Sequence, residues 1–203
     1  MILPDGSLYP KIHPTARIAP NAVISGDVEI GPDTSVGFGT VIVAESGPVR
    51  IAGKTVIMEN AVLRGIRGCP LHVGRNVLIG PRAVLNGCVI GEEAFIATGA
   101  TIFNGAIIGA RAEVRINAIV HLRTRLAAGA MVPLGWIAVG DPAHILPPDR
   151  HEEIWTIQKE LDFPSFVFGV ARPPEGETIM RDVIPRYAAM LARRHAGDAD
   201  AGI

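Results

Sequence analysis

An aliphatic side chain returns every six residues along most of this chain, and few folds accommodate that spacing. It runs through Ile12, Ile18, Ile24, Ile30, Val36 and Ile42, then resumes after a short insertion at Ile51, Ile57 and Leu63. A longer insertion, residues 65–72, precedes Val73, Ile79 and Leu85. One shortened step leads to Ile90, and the sixes continue through Ile96, Ile102, Ile108, Val114, Val120, Leu126 and Val132. A second signal keeps phase with the first: four residues after the aliphatic stands a small or β-branched residue, as at Ala16, Ala22, Thr34, Thr40, Thr55, Ala83, Ala100 and Ala118. An amphipathic helix needs a period near 3.6, and a half-buried strand needs alternation. A period of six satisfies neither.

That period does fit a short strand and a turn repeated on each flat side of a three-sided prism. Each side points one large and one small side chain inward. Three sides close one coil, so residues about 18 apart lie one above another. Parallel hydrogen bonding between coils ~4.8 Å apart then stacks the aliphatics into a dry column. Aromatic residues are only 5% of the 203, against 48% hydrophobic overall, so aliphatic layers must fill the core. The 23 glycines and 16 prolines suit a chain that turns often and exclude a helix bundle. The expected fold is an all-β solenoid, a parallel β-helix of hexapeptide repeats over residues 1–142.

Residues 143–203 read differently. Pro147 and Pro148 break the repeat, and Ile154, Ile157, Gln158 and Leu161 share one face of a helix expected over 150–161. A second helix is expected over 178–194, with Ile179, Val183, Tyr187 and Leu191 as its stripe. An extended crossover over 162–169 would join them. Both helices are expected to lie along the prism, and the tail from about 195 is expected to be disordered.

Bulk properties exclude several roles. A formal charge of −1 with scattered cations gives no electrostatic footprint for nucleic acid. No apolar run approaches the ~20 residues that cross a bilayer, so no membrane partner is expected. The first residues lack a basic stretch followed by an apolar one, and Cys69 and Cys88 do not form a disulfide framework. A reduced, cytoplasmic setting is the expectation.

Three local stretches go beyond the repeat. His13-Pro14-Thr15-Ala16 followed by Gly26-Asp27-Val28-Glu29-Ile30-Gly31, then Gly47-Pro48-Val49-Arg50-Ile51, then Glu59-Asn60-Ala61-Val62-Leu63 with Leu85-Asn86-Gly87-Cys88-Val89-Ile90-Gly91, resemble γ-class carbonic anhydrases. The resemblance covers roughly residues 12–142. It implies a left-handed β-helix, a homotrimer, and three histidines that hold zinc, iron or cobalt between subunits, in the patterns V-L-H, G/A-H and L/V-H-G. Here those places read Val62-Leu63-Arg64, Gly80-Pro81 and Leu85-Asn86-Gly87. The family's L-R-G-D arginine and aspartate fall at Val43 and Glu45, and its N-I-Q-D glutamine and asparagine at Met58 and Val56.

The repeat register places Ser25, Val43, Arg64, Asn86, Phe103 and His121 on one outward ladder. Phe38, Glu59, Pro81, Thr98 and Ile116 form another, on the preceding side. Arg64 is a permanent cation, proline offers no donor atom, and asparagine is a poor zinc ligand. No metal or other cofactor is therefore expected, nor CO2 hydration by a metal-bound hydroxide. Two readings of Arg64 stand open: it binds a small anion such as a carboxylate or bicarbonate, or it bridges subunits by pairing with Glu59 or Glu45. Cys88 reads as a small buried hydrophobe, and His13, His72, His121, His144, His151 and His195 as surface or capping residues. A second functional class keeps the subunit cleft for metal-free acyl transfer or thioester chemistry on CoA, with His121 as the candidate base.

Overall fold

The structure, a computed structural model, describes residues 1–174 and 176–200, with side chains described through residue 192. Its body is a parallel β-solenoid of three sheets, one per prism side. The hydrogen-bonded order steps by three strands in every sheet, as a coil of three sides requires. Sheet one has nine strands, from Ile2–Leu3 through Val41–Ala44, Val62–Gly65, Val84–Asn86, Thr101–Ile102 and Ile119–Val120 to Ile137–Val139 and His144–Leu146. Sheet two has seven, Lys11–Ile12 to Arg125–Leu126, and sheet three has seven, Arg17–Ile18 to Met131–Val132.

The aliphatic series is the core. Ile24, Ile42, Leu63, Leu85, Ile102 and Val120 are fully buried and sit in register on successive rungs of sheet one. The small residues line the corners, where only a methyl or hydroxyl has room. Three buried threonines there satisfy their hydroxyls on the coil above: Thr34, Thr40 and Thr55 donate to the carbonyls of Ala52, Met58 and Gly74 at 3.1–3.2 Å.

The two insertions are absorbed at one corner without breaking that register. Residues 66–69 close a tight turn whose ends, Ile66 and Cys69, exchange backbone hydrogen bonds. The short insertion packs beside it: the Ser46 and Gly47 amides donate to the Gly65 carbonyl, and the Arg67 amide donates to the Ser46 hydroxyl. The shortened step on the next coil is turned by Gly87, at φ 43°, where a side chain would meet the Cys69 carbonyl oxygen at 2.4 Å.

The C-terminal region departs from the sequence expectation in three places. Sheet one runs past residue 142, because Gly140, at φ 95°, lets the chain double back. His144–Leu146 then pairs antiparallel with Ile137–Val139 and covers a strand edge that would otherwise stand open. Helix α1, His151–Glu160, lies where the pattern put it, with Glu152 and Glu153 in its first turn. The segment expected as an extended crossover is instead a short helix, α2, Phe163–Phe168. Pro164 sits in its first turn, where a missing N–H costs nothing, and Gly169 closes it in the left-handed conformation. Helix α3, Met180–Asp200, extends beyond 194, and the tail expected to be disordered lies largely outside the described side chains. No described helix is long and apolar enough to cross a membrane.

Candidate functional site

Sheet one presents its outward ladder to the chain's own C-terminal helices. Arg64 stands in register with Val43 below and Asn86 above. Phe103 and His121 follow on the next rungs, since Leu85, Ile102 and Val120 just before them are paired. Each helix reaches this ladder. Tyr187 of α3 accepts a 3.0 Å hydrogen bond from Arg64. Phe163 of α2 packs edge-on against Phe103 at 6.5 Å between ring centres, and Gln158 of α1 lies 2.5 Å from His121 Nε2. Phe168 links the contacts, meeting Phe163 at 5.7 Å and Tyr187 at 6.5 Å, both edge-on. The C-terminal segment is thus held on the ladder at three heights.

Arg64 forms the polar end of that seam. Its guanidinium pairs with Glu45, whose side chain is only 9% exposed, and the Tyr187 hydroxyl donates to the same carboxylate at 3.3 Å. Glu45 owes its place to the short insertion, which begins at this residue just past the strand Val41–Ala44. Burial works to lower the Arg64 pKa, but its hydrogen bonds to Glu45 and Tyr187 and the Glu45 charge outweigh it and hold the group above its ordinary value. The carboxylate partner of Arg64 therefore lies within its own chain, whereas the two roles open from the sequence were a small bound anion and a bridge to Glu59 or Glu45 of another subunit. Among the described residues the buried Asn86 carboxamide oxygen meets no hydrogen-bond partner.

The other candidate positions lie elsewhere. Val56 is on sheet three, 41% exposed, with Met58, Glu59 and Pro81 at the corner that follows. Glu59 is exposed, and Val56, Met58, Glu59 and Phe38 border a shallow cavity of about 380 Å³. Within one chain, then, Val43, Glu45, Arg64, Asn86, Phe103 and His121 share sheet one, while Val56, Met58, Glu59 and Pro81 share another side. Among the described residues no hydrogen bond or ion pair joins the two sets.

His121 corrects an expectation. It is 6% exposed, covered by α1, and not a surface or capping residue. Burial pushes its pKa down to about 4, so the ring is neutral at pH 7. With Nε2 facing the Gln158 amide, Nδ1 is left buried and, among the described residues, unpartnered. Sequence reasoning missed Tyr187 and Gln158 as ladder partners. Both lie on the apolar stripes assigned to their helices, and only the docking angle reveals where a stripe lands.

A divalent metal does not fit the residues at the three family positions. A half-buried cation, Arg64, already committed to a carboxylate, stands next to Asn86, and Pro81 contributes no donor atom. Among the described residues no group of three or more His, Cys, Asp or Glu is placed to hold a metal ion.

Comparison with known proteins gives the chain its relatives. Residues 9–44 and 70–104 match the bacterial transferase hexapeptide (six repeats) family. Gamma carbonic anhydrase 1, mitochondrial, of Arabidopsis thaliana is 32% identical over 193 residues, which cover 92% of this chain and 67% of that protein. Gamma carbonic anhydrase 2, mitochondrial, of the same plant is 30% identical over 151 residues, and the match spans about half (52%) of its length. The carnitine operon protein CaiE of Salmonella agona is 28% identical over 147 residues, covering 72% of this chain and 71% of CaiE. Among solved structures, a hexapeptide transferase family protein from Anaplasma phagocytophilum superposes with a TM-score of 0.50 at 28% identity, over 78% of this chain and 90% of that one. A hexapeptide solenoid that aligns over nearly its whole length with a plant γ-class enzyme belongs to the gamma carbonic anhydrase family.

Proposed function

We propose that this protein is a homotrimeric member of the gamma carbonic anhydrase family that does not hydrate CO2 through a metal centre. The observation that carries the reading is the Arg64–Glu45–Tyr187 cluster, which occupies the ladder position where the family resemblance calls for a histidine. A guanidinium so paired is a structural clasp and repels a divalent ion. An anion such as bicarbonate would have to displace Glu45 to reach Arg64, so the clasp reading is the stronger of the two. Trimer formation is supported by sheet three and the corner beyond it, where Phe38, Val56, Leu78, Ile116, Met131 and Leu134 expose apolar surface on one side of the prism. The cysteines Cys69 and Cys88, both free thiols, suit a reducing, cytoplasmic setting.

The test is direct. Protein expressed with added zinc, iron and cobalt should carry well under one metal ion per chain and show no CO2 hydration above buffer. A tightly bound stoichiometric ion with bicarbonate turnover would overturn the proposal. Metal-free chemistry on CoA is the second reading, favoured by the neutral imidazole of His121. It is weakened because Gln158, and not a carboxylate, orients that ring. Acetyl-CoA binding by the purified protein would favour this second reading.

A further inference from the structure

Helices α1 and α2 do not lie flat on sheet one. They are pinned at Gln158–His121 and Phe163–Phe103, and between these points a cavity of about 540 Å³ remains. Its floor is the outer surface of Phe103, Ile119 and Ile137, and Trp155 and Phe163 supply much of its roof. Every one of these groups belongs to one chain, so the cavity is formed within a single protomer. It is separate from the Arg64 clasp and from the exposed side of sheet three.

The chemistry of the walls is one-sided. The body is apolar and aromatic, while the titratable groups that line it are His121, His151 and Arg172, with no carboxylate among them. Arg172 lies over the Trp155 ring at 5.5 Å, and its Nη2 donates to the Lys159 carbonyl at 3.1 Å. Among the described residues its carboxylate contact is a loose one, Asp162 at 4.0 Å, from outside the cavity. Among the described residues, guanidinium N–H groups beyond Nη2 are left for a ligand, beside Trp155, which is 42% exposed. A cavity of this size lies within the usual range of small-molecule sites.

We propose that this cavity is a binding site for a small amphipathic monocarboxylate. Its apolar body lies between Ile137, Phe103 and Trp155, and its carboxylate is taken by Arg172. The buried imidazole of His121 forms part of the inner wall and, being neutral, adds no charge beside the apolar body.

Octanoate and octan-1-ol, titrated calorimetrically into the intact protein, form the test. Octanoate should bind at about one per chain with a dissociation constant of about 1 mM or tighter. Arg172→Gln should weaken octanoate tenfold or more and leave octan-1-ol unchanged. Ile137→Phe, or Ile119→Phe if the first does not fold, should abolish both at unchanged secondary structure. Failure of octanoate to bind, or binding indifferent to Arg172→Gln and to the filled cavity, would overturn the proposal. Neither result bears on the metal question, which the Arg64 clasp decides separately.

Discussion

Arg64 and Tyr187, 123 residues apart in the chain, meet in a 3.0 Å hydrogen bond, and both engage the Glu45 carboxylate. This contact ties the last helix to the middle of the solenoid. It also gives the Arg64 cation a place in the fold.

Breaking the clasp should loosen α3 before it affects the prism. Tyr187→Phe should lose about 1 kcal/mol, the worth of an ordinary hydrogen bond. Arg64→Ala, which strands a mostly buried carboxylate, should lose about 1–3 kcal/mol, discounted because Arg64 is itself 31% exposed. Amide exchange in α3 should quicken in both variants. Adding Glu45→Gln to Arg64→Ala should restore part of the loss, and a fully additive double variant would contradict the pairing.

Acid should weaken the protein through His121. Its pKa is lowered from an ordinary 6.5 to about 4 in the folded state, so the unfolded chain binds the proton first as pH falls. Stability contributed by the neutral ring is therefore complete above pH 6.5 and drains away between 6.5 and about 4, by on the order of 2–3 kcal/mol. Urea titrations at pH 7 and pH 4.5 should show this loss, and His121→Leu should remove most of it. An equal pH dependence in the variant would sink the assignment.

Gly87→Ala tests the corner that takes up the long insertion. The added carbon would meet the Cys69 carbonyl oxygen at 2.4 Å and the Cys69 Cβ at 2.8 Å, on a backbone at positive φ. A loss of about 2 kcal/mol or more is expected by thermal melting, from strain and displacement together. Gly129→Ala, also at positive φ but with nothing within 4 Å of the added carbon, should lose distinctly less.

Phe38 and Ile116 stand 58% and 46% exposed on the corner beyond sheet three. Sedimentation of the unmodified protein should give a species of three times 21.5 kDa. Phe38→Glu with Ile116→Glu should yield folded monomer, because neither side chain supports its own chain's core. A monomeric parent protein would refute the trimer.

Rebuilding the family's ligands should separate binding from catalysis. Arg64→His, Pro81→His and Asn86→His together should restore metal uptake but little hydration, since Val43, Met58 and Val56 also differ. The triple variant should be less stable than its parent, having lost the partner of Glu45.

The solenoid was legible in the chain because its signal is local and repeated. Ile102 must point inward for the same reason as Ile42 and Val120, and the three-sided coil is the structure in which all of them agree. The ladder order Val43, Arg64, Asn86, Phe103, His121 followed from that register alone, while the comparison of Arg64 and Pro81 with metal-ligand positions came from the family resemblance. What covers the ladder was not legible. Residues 163–168 read as extended until Pro164 and Gly169 were seen to start and stop a helix, and Tyr187, Gln158 and Phe163 showed only as stripe or segment residues without an address. The tertiary structure decided that Arg64 pairs within its own chain, that His121 is buried, and that a cavity remains beneath α1. Periodicity sets which way a side chain points within a repeating unit. Where two dissimilar units touch depends on contacts between distant residues, and those the repeat does not encode.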